Sequence, residues 1–462
     1  MTEYRIETDS LGEVQVPSGR YYGAQTQRAV DNFPVSGIGF SRRFIRALGL
    51  IKEAAACANS ELGKLDDKLA AVIRQAAMEV ADGALDDHFP VDIFQTGSGT
   101  STNMNTNEVI ANRAIELLGG EIGSKSPVHP NDHVNDGQSS NDVIPTALHI
   151  AGAEALHAEL LPALRRLKES LEAKAKAFDD VLKIGRTHLQ DAVPVRLGQE
   201  FGGYAMQVTN SIGRVEAVLP HLQELAIGGT AVGTGLNTHE DFGRLVAARV
   251  SEQTGLSFSE APNRFEALAA RDAAVAASGA LRSVAVSLTK IANDIRWLGS
   301  GPRCGIGEIL LPAVQPGSSI MPGKVNPVMA ESLLMVCAQV VGNDQAVAWG
   351  GAAGNFELNV MKPLIAHNLL QSSSLLTRGV HTFVERCVDG LEANRERAEQ
   401  LIEGSLAMCT ALAPVIGYDA AASIAKEAYK TGRTVRDVAR ERSGLSEAAL
   451  NEALDVRRQT GK

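Results

Sequence analysis

The stretch LRSVAVSLTKIANDIRWL, residues 281–298, carries the pattern that decides the fold. Its apolar side chains alternate between spacings of three and four residues, at Leu281, Val284, Leu288, Ile291, Ile295 and Leu298. Such a heptad repeat predicts a long α-helix that packs side by side with other helices. A second repeat of this kind lies in a segment expected to be helical from about 142 to 182, at Leu160, Leu164, Leu167 and Leu171.

Further helical segments are predicted near 42–82, 195–226, 265–298 and 328–349. Hydrophobic residues make up 44% of the 462 residues but aromatic ones only 4%, a mixture that suits close helix-on-helix packing. The sequence therefore predicts an all-α fold with five or six helices at its centre. Seams this long need more apolar partners than one chain supplies, so we expect a homo-oligomer, with a monomeric bundle as the alternative.

Charge, cysteine usage and the N-terminal residues limit the partners and the cellular compartment that fit the sequence. The formal charge of -10 argues against a nucleic-acid or membrane-surface partner, although it allows local positive sites for small anions. The five cysteines form no C-x-x-C pair, which favours a reducing compartment over a disulfide framework or a metal cluster. The opening MTEYRIETDS carries acids and lacks an apolar core, and no eighteen apolar residues run together. We expect a soluble, cytoplasmic protein.

Three polar segments interrupt the helical pattern: TGSGTSTNMN at 96–105, HPNDHVNDGQSSND at 129–142 and GSSIMPGKVNP at 317–327. Each offers main-chain NH groups and short hydroxyl or amide side chains. Few carboxylates accompany them at the loop tips, so this inventory favours a carboxylate or phosphate ligand over a metal. In the second segment, Asn141 is expected to cap the next helix.

The third segment differs from an ordinary turn because a helix is expected to begin at its end. Asn326 and Pro327 are expected to be the N-cap and the first helical residue, with Glu331 one turn inside the helix. Lys324 and the positive end of that helix would both stabilise an anion held near the loop. A purely structural loop remains the alternative on these residues alone.

Two other ligand classes fit the sequence less well. Gly97-Ser98-Gly99 and the glycines between 228 and 233 resemble phosphate loops, but no third glycine completes the first pattern and no lysine plus hydroxyl residue follows Gly233 in the second. The Gly228 segment is better interpreted as a tight turn between helices. The histidines and aspartates between His129 and Asp142 lack the register of a calcium loop, and such a cluster is usually solvated structure.

The loop GSSIMPGKVNP resembles the signature of the fumarase/aspartase superfamily, and the whole chain is similar to its class II fumarate hydratase family. The supporting stretches occur in one order along the chain and are far more specific together than one short motif. They are TGSGTSTNMNTNEVIANRA from Thr96, VHPNDHVNDGQSSNDVIPTA from Val128, IGRTHLQDAVPV from Ile184, GGTAVGTGLNTH from Gly228 and SGPRCGIGE from Ser300.

This resemblance implies a three-domain helical subunit, divided at 1–138, 139–395 and 396–462, whose central five-helix bundle joins three others in a homotetramer with a twenty-helix core. Each active site would draw on three subunits, so that segments around Ser98, His188 and Ser318 converge only after assembly. It also implies reversible anti hydration of fumarate to malate, without cofactor or metal. The partners would be the dicarboxylate substrate and other copies of the chain.

The family's roles transfer to matching residues of this chain. Ser318 would be the base at carbon, His188 would act on water, and Glu331 would pair with His188 and fix its tautomer. The resemblance implies that the substrate carboxylates bind to Ser98, Gly99, Thr100, Ser139, Ser140, Asn141, Thr187, Ser319, Lys324, Val325 and Asn326. A secondary anion site is implied at His129, Pro130, Asn131 and Asp132.

Two alternatives within the superfamily are an aspartate ammonia-lyase and a non-catalytic structural protein. His188 favours the hydratase because water must lose a proton to attack, and Ser98, His129 and Gly323 also resemble the fumarases. Every catalytic position holds a competent residue, which disfavours the structural protein. One departure is that Ser124-Lys125-Ser126 stands where related fumarases often have an arginine, so we expect a weaker secondary anion site.

Overall fold

The computed structural model describes residues 3–461, and within this range the protein is predominantly helical, as predicted. The chain divides into two compact units, each assembled from three stretches of sequence. The first unit comprises the described residues up to Pro162, together with Gly213–Ala285 and Ala338–Thr377. The second comprises Ala163–Ile212, Val286–Cys337 and the described residues from Arg378 onward.

The longest helices, of 20 to 27 residues, are Arg42–Glu61, Leu197–Leu222, Asp272–Leu298, Val328–Ala352 and Lys362–Phe383. Shorter helices are Ala24–Asn32, Asp67–Asp82, Thr100–Leu117, Ser140–Glu154, Leu161–Ala177, Phe242–Thr254, Arg264–Ala269, Arg395–Gly404, Ala413–Ile416, Tyr418–Thr431, Val435–Arg442 and Glu447–Ala453. Short 3₁₀ or π turns are Asp86–His88, Pro130–Val134, Ala155–Leu160, Val384–Val388, Leu406–Ala411 and Arg457–Thr460.

The strands are short and form two-stranded sheets. The antiparallel pairs are Tyr4–Asp9 with Gly12–Pro17, Leu182–Thr187 with Gln190–Arg196, Ile309–Leu310 with Glu392–Ala393, and Gly354–Asn355 with Leu358–Asn359. Glu224–Leu225 pairs with Ser259–Glu260 in parallel. None of these strands was predicted, and the hairpin at 182–196 carries Thr187 and His188.

Each unit has its own apolar core. In the first, the helix Arg42–Glu61 packs against Asp67–Asp82, Ser140–Glu154 and Phe242–Thr254. In the second, the helices after residue 395 enclose a cluster that includes Ile402, Leu412, Ile424, Val438 and Leu450. These cores leave the polar loops at helix ends, where side chains can serve a ligand.

The helix that carries the heptad repeat spans Asp272–Leu298, and all six repeat positions are buried. This confirms the helix and its apolar seam. By length and composition alone the helix could also cross a membrane, but half of its most apolar window is buried inside the protein. A core helix of a soluble protein passes the same test, so the finding is weak evidence for a membrane span.

The predicted segment 265–298 is divided between the helices Arg264–Ala269 and Asp272–Leu298, and two other predicted segments have wrong boundaries. The segment 42–82 is two helices, because Asp66 caps a new helix by accepting hydrogen bonds from the amides of Lys68 and Leu69. The segment 142–182 begins at Ser140, widens into a π turn at Ala155–Leu160 and ends at Ala177. Local capping decides both boundaries, whereas apolar spacing carries no information on them.

Lys52 is buried in the middle of the helix Arg42–Glu61. Its amino group donates to the side-chain oxygens of Asn135 and Gln138, at 3.0 and 2.9 Å. Burial lowers the pKa of Lys52 from 10.5 to about 7, while the negative charge of Asp142 opposes that shift. Because the folded chain binds this proton more weakly than the unfolded chain does, the free energy of unfolding rises with pH between about 7 and 10.5.

We therefore expect Lys52→Met to remove a pH-dependent component of stability. The melting temperature of the variant minus that of the unmodified protein should be most positive at pH 7 and below, and should fall as the pH approaches 10. Thermal unfolding at a fixed scan rate across this range measures it, with the exposed Lys68→Met as a control that shows no such trend. A difference that stays constant with pH would contradict the buried ammonium.

Candidate functional site

The first donor-rich loop is fixed by its glycines. Gly99 has φ 80° and precedes the helix Thr100–Leu117, and the hydroxyls of Ser98 and Thr100 lie 2.7 Å apart. A Cβ at Gly97 would lie 1.8 Å from the carbonyl oxygen of Val360, so only glycine fits there. The loop therefore presents two short hydroxyl side chains at a helix N-terminus, a position that favours anions.

The second loop ends in a capping box that corrects one prediction. Ser139, rather than Asn141, is the N-cap of the helix Ser140–Glu154, and Asp142 accepts a hydrogen bond from the Ser139 amide at 2.9 Å. Asn141 lies in the first turn and donates its side-chain amide to the carbonyl oxygen of Ala231 at 2.8 Å. The hydroxyl of Ser140 accepts a hydrogen bond from Asn103 at 3.1 Å.

The Gly228 segment is hydrogen-bonded to the end of that loop through Asp142. The second carboxylate oxygen of Asp142 accepts hydrogen bonds from the amides of Gly228 and Thr230, at 3.2 and 2.8 Å. Burial raises the pKa of the Asp142 carboxyl to about 6, although these amides and Lys52 oppose the shift. The predicted turn is confirmed, and its role is to bind a buried carboxylate of the chain itself.

Lys362 joins the first two loops and was missed by the sequence analysis. Its main-chain NH donates to the carbonyl oxygen of Gly97 at 3.1 Å, and its amino group donates to that of Asn141 at 3.0 Å. Burial lowers the pKa of Lys362 to about 7, helped by Arg271 and opposed by Asp142. A lysine at the first position of a helix opposes the helix dipole, and that is the signal that could have singled it out.

The segment His129–Asp132 forms the start of a single π turn. The Nδ1 atom of His129 accepts hydrogen bonds from the amides of Asn131 and Asp132, both at 3.2 Å, and Pro130 is buried. The other ring nitrogen of the neutral imidazole is then a donor. Lys125, close by in sequence, donates to the carbonyl oxygen of Thr8.

In the second unit, His188 lies at the tip of the hairpin formed by Leu182–Thr187 and Gln190–Arg196. Thr187 pairs with Gln190, so the turn contains only His188 and Leu189, with φ 57° and 60°. Two consecutive positive φ values define a type I′ turn, which normally selects asparagine or glycine. Histidine in this strained position is exposed at the tip.

A buried ion cluster holds the base of this hairpin. The carboxylate of Glu308, which is fully buried, accepts hydrogen bonds from both terminal nitrogens of Arg186 at 2.9 and 3.1 Å. Lys183 lies 3.3 Å from the same carboxylate and 2.7 Å from that of Glu200. Bidentate pairing fixes the direction of the arginine, and hence of the strand two residues before His188.

The third loop surrounds the hydroxyl of Ser318 with main-chain donors. Its Oγ accepts hydrogen bonds from the amides of Ile320 and Met321, at 3.2 and 3.0 Å. The Gly317 amide donates to the carbonyl oxygen of Lys324 at 2.7 Å and closes the loop. Two donors at one hydroxyl oxygen stabilise negative charge there.

The predicted helix start after this loop is wrong by one residue. The helix is Val328–Ala352, and the carbonyl oxygen of Pro327 accepts the hydrogen bond from the Glu331 amide. Asn326 uses its side-chain amide to donate to the carbonyl oxygen of Gly317 at 2.7 Å. Asn326 therefore ties the two ends of the loop together, and Glu331 does lie in the first turn, as predicted.

Two depressions flank the third loop. One, of about 630 Å³, is lined by Arg296, Trp297, Lys324, Asn326 and Glu331 among others. The other, of about 450 Å³, lies at Ser318, Met321 and Lys324. Lys324 is exposed between them, where its charge can reach an anionic ligand.

The predicted residues thus form separate groups within the chain. The first unit brings Ser98–Thr100 and Ser139–Asn141 together through Lys362, and the second holds the hairpin of Thr187 and His188 and the loop from Ser318, Ser319 and Val325 to Glu331. Among residues 3–461, no hydrogen bond or ion pair is found between His188 and Glu331. Likewise, the described part of the chain contains no group of three or more His, Cys, Asp or Glu residues able to hold a metal ion.

Comparison with known proteins adds to this geometry. A family model described as Lyase matches residues 12–342, and one described as Fumarase C C-terminus matches 408–461. A class II fumarate hydratase of Halobacterium salinarum is 60% identical over 453 residues, which cover 98% of this chain and 96% of that protein. The mitochondrial fumarate hydratase of Danio rerio is 58% identical, with 97% and 88% covered. A class II fumarase structure from Schistosoma mansoni matches with a TM-score of 0.95 and 43% identity, covering 98% of each chain.

The contact at Gly97 yields a prediction. In Gly97→Ala the added methyl group cannot fit beside the carbonyl oxygen of Val360, so the loop or the segment at 360 must move. We expect a loss of stability of about 1 to 3 kcal/mol, typical of overpacking, measured by thermal unfolding. Gly19→Ala is the matched control because open space surrounds that position. Equal melting temperatures for the two variants would contradict the close approach.

Proposed function

The chain belongs to the lyase family, within its class II fumarate hydratases, and from this premise we propose how its residues add water to fumarate. The enzyme is a hydro-lyase, and the reaction is reversible, with malate as the product. The difficulty of the reverse direction lies in removing a weakly acidic proton from the carbon next to a carboxylate. The site must therefore supply both a base at that carbon and donors for the charge that develops on the carboxylate.

The observation that carries the proposal is the environment of Ser318. The amides of Ile320 and Met321 donate to its Oγ, and the ammonium group of Lys324 belongs to the same closed loop. An alkoxide at Ser318 would keep both hydrogen bonds, and they would strengthen as charge develops. In malate dehydration this alkoxide takes the proton from carbon; in fumarate hydration the Ser318 hydroxyl returns it.

His188 is the proposed partner for water. In hydration it accepts a proton from the attacking water while the oxygen adds to one alkene carbon, and Ser318 protonates the other carbon from the opposite face. In dehydration it returns that proton to the departing hydroxide. An imidazole suits both directions because one ring nitrogen can both accept and return a proton. Glu331 is proposed to fix the tautomer of His188 after assembly.

The two carboxylates of the substrate would bind to the donors of all three loops. Lys324 and the N-terminus of the 25-residue helix Val328–Ala352 supply positive charge. The proposed remaining donors are Ser98, Gly99, Thr100, Ser139, Ser140, Asn141, Thr187, Ser319, Val325 and Asn326. These groups are polar and mostly uncharged, and they would be worth most against the extra charge of the enediolate intermediate.

We further propose that the active enzyme is a homotetramer, with domains at 1–138, 139–395 and 396–462. Large apolar side chains on the long helices support association, because they are exposed in the single chain: Met206, Val286, Trp297, Met335 and Trp349. The secondary anion site at His129–Asp132 would use the free nitrogen of the His129 ring. The five free cysteines are compatible with the reducing cytoplasm that we propose as its location.

The first test of this function is direct. The purified protein should consume fumarate, measured as loss of ultraviolet absorbance, and a chelator should not reduce the rate. Parallel assays with aspartate and with fumarate plus ammonia distinguish the ammonia-lyase. Turnover of aspartate in place of malate would favour that enzyme, and turnover of neither substrate would favour a structural protein.

The second test removes the proposed base. Ser318→Ala should lower kcat by at least about 100-fold, within the range typical of a lost general acid or base, while the oligomer stays intact in size-exclusion chromatography. Ser10→Ala, at an exposed serine of the first hairpin, is the control and should keep full activity. Retained activity in Ser318→Ala would remove that residue from the mechanism.

A further inference from the structure

Lys362 lies at the start of the helix Lys362–Phe383 and is fully buried. Its main chain and its side chain contact different loops: the NH donates to Gly97, and the amino group donates to Asn141, through their carbonyl oxygens. We infer that Lys362 is a positioning residue that holds the Ser98–Thr100 and Ser139–Asn141 loops in one geometry for the substrate carboxylates. This inference rests on the proposed function of those loops.

The segment before Lys362 is itself fixed. The Asn359 side chain donates to the carbonyl oxygen of Gly350 at 2.9 Å and accepts a hydrogen bond from the Met361 amide at 2.9 Å. The carbonyl group of Val360 lies directly against Gly97, where it leaves no space for a Cβ. Hydrogen bonds therefore fix the turn that precedes Lys362, and Lys362 itself is bound to the two loops.

Packing alone does not explain a lysine at this position. An amino group at the first residue of a helix opposes the helix dipole, and its burial requires desolvation. Methionine would fill a similar volume without either cost. What methionine cannot do is donate a hydrogen bond to Asn141, and the amino group of lysine donates whether or not it is protonated.

The position of Asn141 matters because its main chain and its side chain make different contacts. Its carbonyl oxygen is bound by Lys362, and its side-chain amide is directed to the carbonyl oxygen of Ala231. Asp142, the next residue, is held by the amides of Gly228 and Thr230. Without Lys362, the link from this first helical turn to the Gly97 loop is lost, and the two sets of donors can separate.

The test compares Lys362→Met with Lys174→Met in the full-length enzyme. Lys174 also donates to main-chain carbonyl oxygens, those of Asp389 and Leu391, but it contacts none of the proposed site residues. We expect Lys362→Met to raise KM for fumarate about tenfold, with a smaller change in kcat, because the loops bind carboxylates that are present before and during the reaction. Lys174→Met should leave both constants unchanged.

A double-mutant cycle separates positioning from a general loss of structure. Asn141→Ala keeps the carbonyl oxygen that Lys362 binds but removes a side chain that this contact is inferred to position, so the rise in KM caused by Lys362→Met should be smaller when Asn141 is already alanine. Equal effects in the two backgrounds, or an unchanged KM in a folded Lys362→Met, would overturn the inference. Activity of the unmodified enzyme in the same assay shows that the proposed function stands independently of this result.

A second variant covers the case in which Lys362→Met does not fold. Lys362→Gln keeps a hydrogen-bond donor near Asn141 but removes the ammonium, and it should raise KM in the same direction by a smaller factor. Binding of the competitive dicarboxylate succinate is measured as well. If Lys362→Gln folds, and if both its KM for fumarate and its affinity for succinate equal those of the unmodified enzyme, the positioning role is overturned.

Discussion

The carboxylate of Asp142 accepts main-chain hydrogen bonds from the amides of Ser139, Gly228 and Thr230 in a site from which solvent is excluded. An unpaired buried carboxylate would be costly, so these three donors and the nearby positive charge of Lys52 are what allow it to be there. In return, the carboxylate fixes the start of the helix Ser140–Glu154 against the Gly228 turn. The hydroxyl and amide side chains of residues 139–141, which are half-buried, depend on that arrangement.

The second unit also contains a buried carboxylate, but this one is paired with positively charged side chains instead of main-chain amides. There the buried carboxylate of Glu308 binds Arg186 and Lys183 and so directs the hairpin whose tip is His188. In the first unit the buried carboxylate is one residue after Asn141, and in the second the buried carboxylate binds Arg186, two residues before His188. Such a support lets the exposed residue adopt a strained backbone, such as the φ of 57° at His188, without changing its direction.

The sequence was sufficient for features that repeat or that stand alone as a motif. The spacing from Leu281 to Leu298 predicted a helix and its buried face. The polar segment at 96–105 was only partly correct, because residues 96–99 are a loop and the helix Thr100–Leu117 already begins inside the segment. The sequence was insufficient where two local preferences compete. Ser139 and Asn141 are both good N-caps, and Asp142, three residues after Ser139, decides between them because it completes a capping box with Ser139. The His188 hairpin was missed because His-Leu is not a turn signal, and its geometry is imposed by contacts with distant residues such as Glu308.

The proposed substrate-binding donors lie in two different environments within one chain, and this limits how strongly a single chain can bind the substrate carboxylates. Ser98 and Gly99 are buried in the first unit, whereas His188, Ser319 and Lys324 are exposed in the second. Exposed donors bind a carboxylate weakly, because water competes for both partners, and the electrostatic stabilisation of an enediolate needs a site that excludes water. The helix Asp272–Leu298 has one buried face, and Val286 and Trp297 on its remaining surface are more than half exposed, at 60% and 53%. Burying such surfaces against other copies of the chain would supply the dry environment that the exposed donors lack, so in the proposed tetramer catalysis and assembly depend on the same contacts.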